Sequence, residues 1–236
     1  MIRPYYDRDG ITIHHADSLE VMPTLRAQSV DLVVTDPPYV IGAVSTGVMA
    51  SKSGGWADMM NSARWFRDWY LMSKRLLKPT GAMWTFCNWR SLPVVMRAAS
   101  DADWPVTSLL VWDKEWIGPG GTVGLRPSHE FVALLAMPEF QIPDRGTPDI
   151  RRQKWASFKP SGHPAEKPTA LMSWLIRTSG LQPGALVLDP FLGSGTTLRA
   201  ALDSGCRGIG IEGETRWCDV AVGRLAQNTL SLGGVA

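Results

Sequence analysis

The sequence predicts an α/β fold: a single domain on a mostly parallel central sheet flanked by helices, with one short insertion. Three observations predict it. Short β-branched runs alternate with longer stretches of helical period. The run Val30–Thr35 (VDLVVT) is almost continuously apolar, as a strand covered on both faces must be. Two proline- and glycine-bearing segments directly follow predicted strands, which is where open α/β sheets bind ligands.

The elements follow in order. Residues 11–14 read as a strand, 19–27 as a short helix and 30–35 as the buried strand. The stretch 40–61 is rich in Gly and Ser and reads as a loop, which at that length is functional or disordered. Residues 62–77 are helical in period, and Pro79-Thr80-Gly81 ends that helix. Strands are expected at 82–87, 106–112 and 131–136, a helix at 92–100, and a Gly/Pro-rich loop at 118–127. The segment 138–163 is polar, basic and proline-spotted, with no clear period. Beyond it the pattern becomes regular: helix 169–179, strand 185–188, helix 196–204, strand 208–211 and helix 215–227.

Composition narrows the function classes. At 236 residues and 44% hydrophobic, the chain suits one full-sized domain. No run approaches the roughly 20 apolar residues of a membrane span, and the first ten residues are polar and mixed in charge, unlike a secretory signal. A cytoplasmic protein is expected. Cys87, Cys206 and Cys218 form no C-x-x-C pair and have no histidines at metal-ligand spacing, so no metal site is expected. The net charge of +2 says little about nucleic acid, for which a local basic patch matters more than the total.

Asp36-Pro37-Pro38-Tyr39 follows the buried strand directly, putting a carboxylate and an aromatic ring at its carboxyl end. The prolines fix the backbone and remove two N–H donors while keeping their carbonyls. An exocyclic amine has two hydrogens to donate. The Asp36 carboxylate and the Pro37 carbonyl could accept both and aim the nitrogen lone pair, and Tyr39 offers a face to an extruded base. The plainer reading is a proline turn capped by an Asp.

The segment from Asp189 to Thr197 (DPFLGSGTT) follows another strand and opens a helix. Its glycines permit close approach of a ligand to the backbone, and the helix N-terminus favours an anionic group. It is no P-loop, because no Lys follows the glycine. Glu212 ends the next strand at a distance that suits ribose hydroxyls. Residues 208–213 match G-x-G-x-x-G only as a string, since their glycines lie within the predicted strand.

With both blocks in this order, the chain resembles the DNA adenine-N6 and cytosine-N4 amino-methyltransferases of β-type motif order, in which the D-P-P-Y block precedes the glycine-rich cofactor block. The resemblance runs over about 11–225, and is carried further by His15 to Leu19 (HADSL), Leu76 to Gly81 (LLKPTG), Trp112-Asp113-Lys114, His129-Glu130 and His163 to Pro168 (HPAEKP). It implies a Rossmann-like methyltransferase domain using S-adenosyl-L-methionine. Asp17 and Ser18 would lie near the cofactor adenine. Lys167 would join the cofactor residues as part of the block before the helix. Asp189, Phe191, Gly193, Ser194, Gly195 and Thr196 would line the methionine end, and Glu212 would hold the ribose. Asp36, Pro37, Pro38 and Tyr39 would hold the target base.

The resemblance also implies double-stranded DNA as partner, with 138–163 as a target-recognition segment. There Arg151, Arg152, Lys154, Trp155 and Lys159 interleave cations with aromatics, as phosphate and exposed-base contacts require. Arg145, Arg126 and Lys114 are weaker candidates. A solvated basic loop is the plainer alternative. A homodimer and a cognate restriction nuclease are partners the family admits but the residues do not specify.

No Pro-Cys dipeptide occurs, so the covalent cysteine route to cytosine carbon 5 has no obvious nucleophile. The cytosine-N4 subgroup usually shows Ser where Asp36 stands, which favours N6 of adenine. Protein-glutamine methylases resemble Asn-Pro-Pro-Tyr, and Asp36 argues against them. The reading from another class is a catalytically silent nucleic-acid-binding module, against which both intact motif blocks argue.

Overall fold

The computed structural model describes residues 2–38, 56–118, 123–155, 162–163 and 166–227. They build one nine-stranded sheet of β1 (Tyr6–Arg8), β2 (Ile11–His15), β3 (Val30–Thr35), β4 (Leu77–Cys87), β5 (Ser108–Asp113), β6 (His129–Ala136), β7 (Ile150–Arg152), β8 (Leu186–Asp189) and β9 (Arg207–Glu212), in the order β1-β2-β9-β8-β3-β4-β6-β5-β7. All neighbours pair in parallel except β1 with β2 and β6 with its two neighbours. Seven strands therefore run one way, and their carboxyl ends share one edge.

The helices are α1 (Ser18–Val21), α2 (Trp56–Leu76), α3 (Leu92–Asp101), α4 (Thr169–Thr178), α5 (Thr196–Asp203) and α6 (Thr215–Ala226). Alternation along β3 splits the core, because successive side chains point to opposite faces. Val33 packs with Phe66, Trp69 and Tyr70 of α2 and Val95 of α3, whereas Leu32 and Val34 pack with Leu171 and Leu175 of α4 and Ala200 of α5. The fold is Rossmann-like, as the sequence predicts. The crossover after β3 runs toward β4 and the crossover after β8 runs toward β9, so the winding reverses between these two neighbours.

Four local differences from the sequence reading have physical causes. First, the 19–27 helix ends early, passing from α1 into a short 3-10 turn at Met22–Thr24, because Pro23 lacks the N–H a further helical bond needs. Second, α2 begins at Trp56, inside the stretch read as loop. Third, Pro79-Thr80-Gly81 does not separate helix from strand. It lies inside β4 as a bulge, where pairing with β3 shifts between Val30/Leu77 and Leu32/Ala82. Fourth, two edge strands are additional: β1, joined to β2 through Asp9 and Gly10 with φ 54° and 78°, and β7, whose Ile150–Arg152 pairs with β5 inside the segment read as having no period. No described helix is long and apolar enough to cross a membrane.

Candidate active site at the winding reversal

The two motif blocks converge where the winding reverses. β3 pairs with β8 through Leu32–Val187 and Val33–Leu188, so Asp36 and Asp189 emerge side by side at the carboxyl edge. The hydroxyl of Thr35 donates to Asp189 Oδ1 at 2.7 Å, joining the blocks by one buried hydrogen bond.

Asp189 is 2% exposed. Burial pushes its carboxyl up to about 6, against hydrogen bonds from Thr197, Thr35 and the Phe191 amide that favour the anion. Its partners are all neutral donors, so the site has the chemistry of a cation acceptor. Gly193 and Gly195 follow with φ 52° and 80°, a left-handed backbone that L side chains rarely adopt. A Cβ on Gly195 would come within 2.8 Å of the Ala221 backbone, so this glycine also lets α5 approach α6. Ser194 and Thr196 are buried at the start of α5, and the Ser194 carbonyl accepts from Arg224 Nε at 2.8 Å. Phe191 rests on Trp65 and Trp69 of α2, with ring centroids 5.3 and 5.4 Å away.

Glu212 ends β9 as expected. Its Oε2 accepts from the Gly193 amide and its Oε1 from the Glu214 amide, each at 2.8 Å, which ties it to the glycine loop. His15 of β2 pairs with Glu212, so Asp17 and Ser18 follow at the same edge. Asp17 caps α1 by accepting from the Leu19 amide at 2.7 Å, and Ser18 is buried. Gly208 and Gly210 lie inside β9, where a Cβ would meet Leu198 and Leu192 at 2.5 and 2.7 Å, so this glycine pair serves packing.

The resemblance puts Lys167 among the cofactor residues, and its ion-pair partners stand at the Asp36 end of the site. Its ammonium is 2.7 Å from Asp36 Oδ2 and 3.1 Å from Glu130 Oε2, with the side chain 7% exposed. It is thus part of the D-P-P-Y side of the site. Lys114 closes the group from Glu130 Oε1 at 2.5 Å, and its 13% exposure removes it from the phosphate-facing candidates. Two cations and two carboxylates therefore balance within a nearly dry pocket, beside the rings of Phe86 and Trp112. Burial works to raise the Glu130 carboxyl, but Lys167 and Lys114 outweigh it and hold it below its ordinary value. Burial works to lower Lys167, but Asp36 and Glu130 hold it above its ordinary value, so it stays protonated. Cys87 lies near, its thiol pushed up to about 12 by burial and then by Glu130 and Asp36, so it remains a thiol.

Pro37 and Pro38 directly follow Asp36 at this edge. Tyr39 and Lys159 lie outside the described residues. Arg151 and Arg152 sit on β7. The Arg151 guanidinium is 5.3 Å from the Trp174 ring, while Arg152 is 77% exposed and 3.6 Å from Asp113. Lys154 is exposed, and Trp155 stacks on Trp116 with centroids 4.4 Å apart. Four further residues shape the site: Thr35, Thr197, Glu166 and Arg224. Glu166 pairs with Arg224 at 2.8 Å, so neighbouring Glu166 and Lys167 reach the glycine loop and Asp36 respectively. A polar residue closing an apolar strand marked Thr35; nothing local marked Arg224.

The DNA methylase family profile (N6_N4_Mtase) matches residues 30–223. YubD of Escherichia coli (strain K12) is 34% identical over 196 residues, covering 83% of this chain and 82% of that protein. In fold, the chain is similar to the PvuII DNA methyltransferase, which is cytosine-N4-specific (TM-score 0.79, 19% identity, 97% and 91% of the two chains). It is also similar to M1.HpyAVI, solved as a complex with SAM (TM-score 0.70, 24% identity, 92% and 99%). The glycine loop, the buried carboxylate whose hydrogen-bond donors among the described residues are all neutral, and the acid at the next strand end fit S-adenosylmethionine, the methyl donor of this family. The chain belongs to the N6/N4 family of DNA methylases and is an S-adenosylmethionine-dependent DNA amino-methyltransferase.

Proposed function

We propose that this single-domain enzyme methylates N6 of an adenine extruded from double-stranded DNA. The observation that carries the reading is the Thr35–Asp189 hydrogen bond of 2.7 Å, which sets the Asp36-Pro37 acceptors directly beside the glycine loop. When bound, S-adenosylmethionine supplies an electrophilic methyl on a sulfonium.

The residues do the rest by positioning, the larger effect in such a transfer. Asp36 and the Pro37 carbonyl accept the two amino hydrogens and aim the lone pair. Lys167 pairs with Asp36 and fixes its Oδ2. The proton lost from nitrogen leaves after or during transfer, so Asp36 need not be a strong base. Asp189 would face the cationic part of the cofactor, Phe191 and Gly193 to Thr196 would line its methionine end, Glu212 would accept from the ribose hydroxyls, and Asp17 and Ser18 would flank its adenine. Tyr39 stacks on the extruded base, and Arg151, Arg152, Lys154, Trp155 and Lys159 meet the DNA as part of the 138–163 recognition segment.

Asp36, in place of the Ser usual in cytosine-N4 enzymes, supports adenine over cytosine. Methylation of duplex DNA by purified enzyme, followed by nucleoside mass spectrometry, tests this. N6-methyladenine is the expected product; N4-methylcytosine alone would retire the adenine assignment.

A further inference from the structure

Trp89 is 60% exposed, and it stands on the turn that leaves β4 at the carboxyl edge. β4 is the neighbour of β3, with Thr85 opposite Thr35, so this turn borders the edge that carries Asp36. The turn is tightly held: Asn88 Oδ1 accepts from the Arg90 and Ser91 amides, each at 2.9 Å, and the Asn88 amide donates to Ser91 Oγ at 3.0 Å. The Arg90 guanidinium lies 4.6 Å from the Trp89 ring centroid. An exposed indole costs free energy in water unless something covers it, and the rigid turn means that little side-chain or backbone freedom is lost when a partner does.

The surroundings identify the partner. On the β4-β6-β5-β7 half of this edge the exposed charges are mainly basic, Arg90, Arg126, Arg152 and Lys154 against Glu115, whereas the exposed acids Asp17, Glu20 and Glu214 stand at its β2-β9 half. A self-association patch would be depleted of charge at its centre. An indole carrying a guanidinium suits a nucleic acid, whose phosphate meets the cation and whose exposed base meets the ring.

We propose that Trp89 and Arg90 form a DNA contact beside the catalytic pocket, Trp89 stacking on a base exposed by extrusion of the target and Arg90 meeting a phosphate. This rests on the DNA-methylating reading above. Neither residue belongs to the cofactor or amine-accepting machinery, and the exposed ring can be replaced without disturbing the core.

The test is binding of a short duplex with a central mismatched bubble, at several salt concentrations, by wild type, Trp89→Ala, Trp89→Phe, Arg90→Ala and Asp36→Ala. Loss of one stacked base is worth about 1–3 kcal/mol, so Trp89→Ala should bind roughly 5- to 150-fold more weakly, with Trp89→Phe recovering much of the loss. Arg90→Ala should reduce the salt slope by about 0.9. If wild type and Asp36→Ala bind and Trp89→Ala binds equally well, this inference falls while the function stands. If Trp89→Ala changes only the sedimenting mass, the patch joins two copies of the chain and the inference again falls. If wild type binds no DNA, the functional reading falls with it.

Discussion

Lys167 holds Asp36 through a buried ion pair, Nζ to Oδ2 at 2.7 Å, and the same ammonium reaches Glu130 at 3.1 Å. The carboxylate opening the Asp-Pro-Pro segment is therefore oriented by a cation from the far end of the chain, whose sequence neighbour Glu166 engages Arg224 and, through it, the glycine loop.

Removing that cation leaves two carboxylates in a dry pocket. Lys167→Met should cost about 3–5 kcal/mol of stability, measured by denaturant unfolding. It should also lower turnover by about 100-fold or more through misplacement of Asp36. Adding Glu130→Gln should recover much of the stability and none of the turnover. If turnover returned with stability, Lys167 would be only a structural residue.

Asp189 gives a pH prediction with a definite sign. Its folded carboxyl, at about 6, lies above its ordinary value, so without ligand its contribution favours the fold at low pH and is lost as pH rises through about 6. A cationic cofactor prefers the ionised form. Calorimetry should therefore show S-adenosylmethionine affinity falling as pH drops below about 6 and levelling above it. Asp189→Asn, which keeps an oxygen for Thr35 and Phe191, should flatten that profile.

Glu212 accepts two amide hydrogens, and the ribose diol is its proposed ligand. Hydrogen bonds to a charged group are worth about 1.5–3 kcal/mol. Glu212→Ala should thus weaken cofactor binding by roughly 10- to 150-fold, while Glu212→Gln loses less. Unchanged affinity in both would remove Glu212 from the site.

The central strands were legible because they are buried on both faces and announce themselves as apolar runs: β3 matches its sequence boundaries residue for residue. The strand-end acids Asp36, Asp189 and Glu212 were legible because position on a parallel strand fixes the edge at which a side chain emerges. The two edge strands escaped because three-residue segments carry no measurable period, although Asp9-Gly10 is itself a hairpin signal. Lys167 shows how far sequence order reaches. Sequence order set it just before the cofactor-side helix α4, whereas its partners come from the ends of β3 and β6, a long-range pairing that no local pattern encodes.

β7 divides the basic residues by environment. Arg152 and Lys154 are exposed, whereas Arg151 is half-buried near Trp174. Alanine at Arg152 and at Lys154 should each reduce the salt slope of duplex binding by about 0.9. Arg151→Ala should act more on thermal stability than on slope. Equal slopes for all three variants and wild type would mean that β7 faces solvent.

In the proposed reaction, Asp36 directs methyl transfer to the amino group of adenine. The most direct test is mass spectrometry of DNA from a methylase-free host expressing either the wild-type chain or Asp36→Ala, with cofactor binding of the purified variant checked in parallel. N6-methyladenine is expected from the wild type and almost none from Asp36→Ala, although the variant still binds S-adenosylmethionine. N4-methylcytosine in place of N6-methyladenine, or undiminished methylation by Asp36→Ala, would contradict this reading.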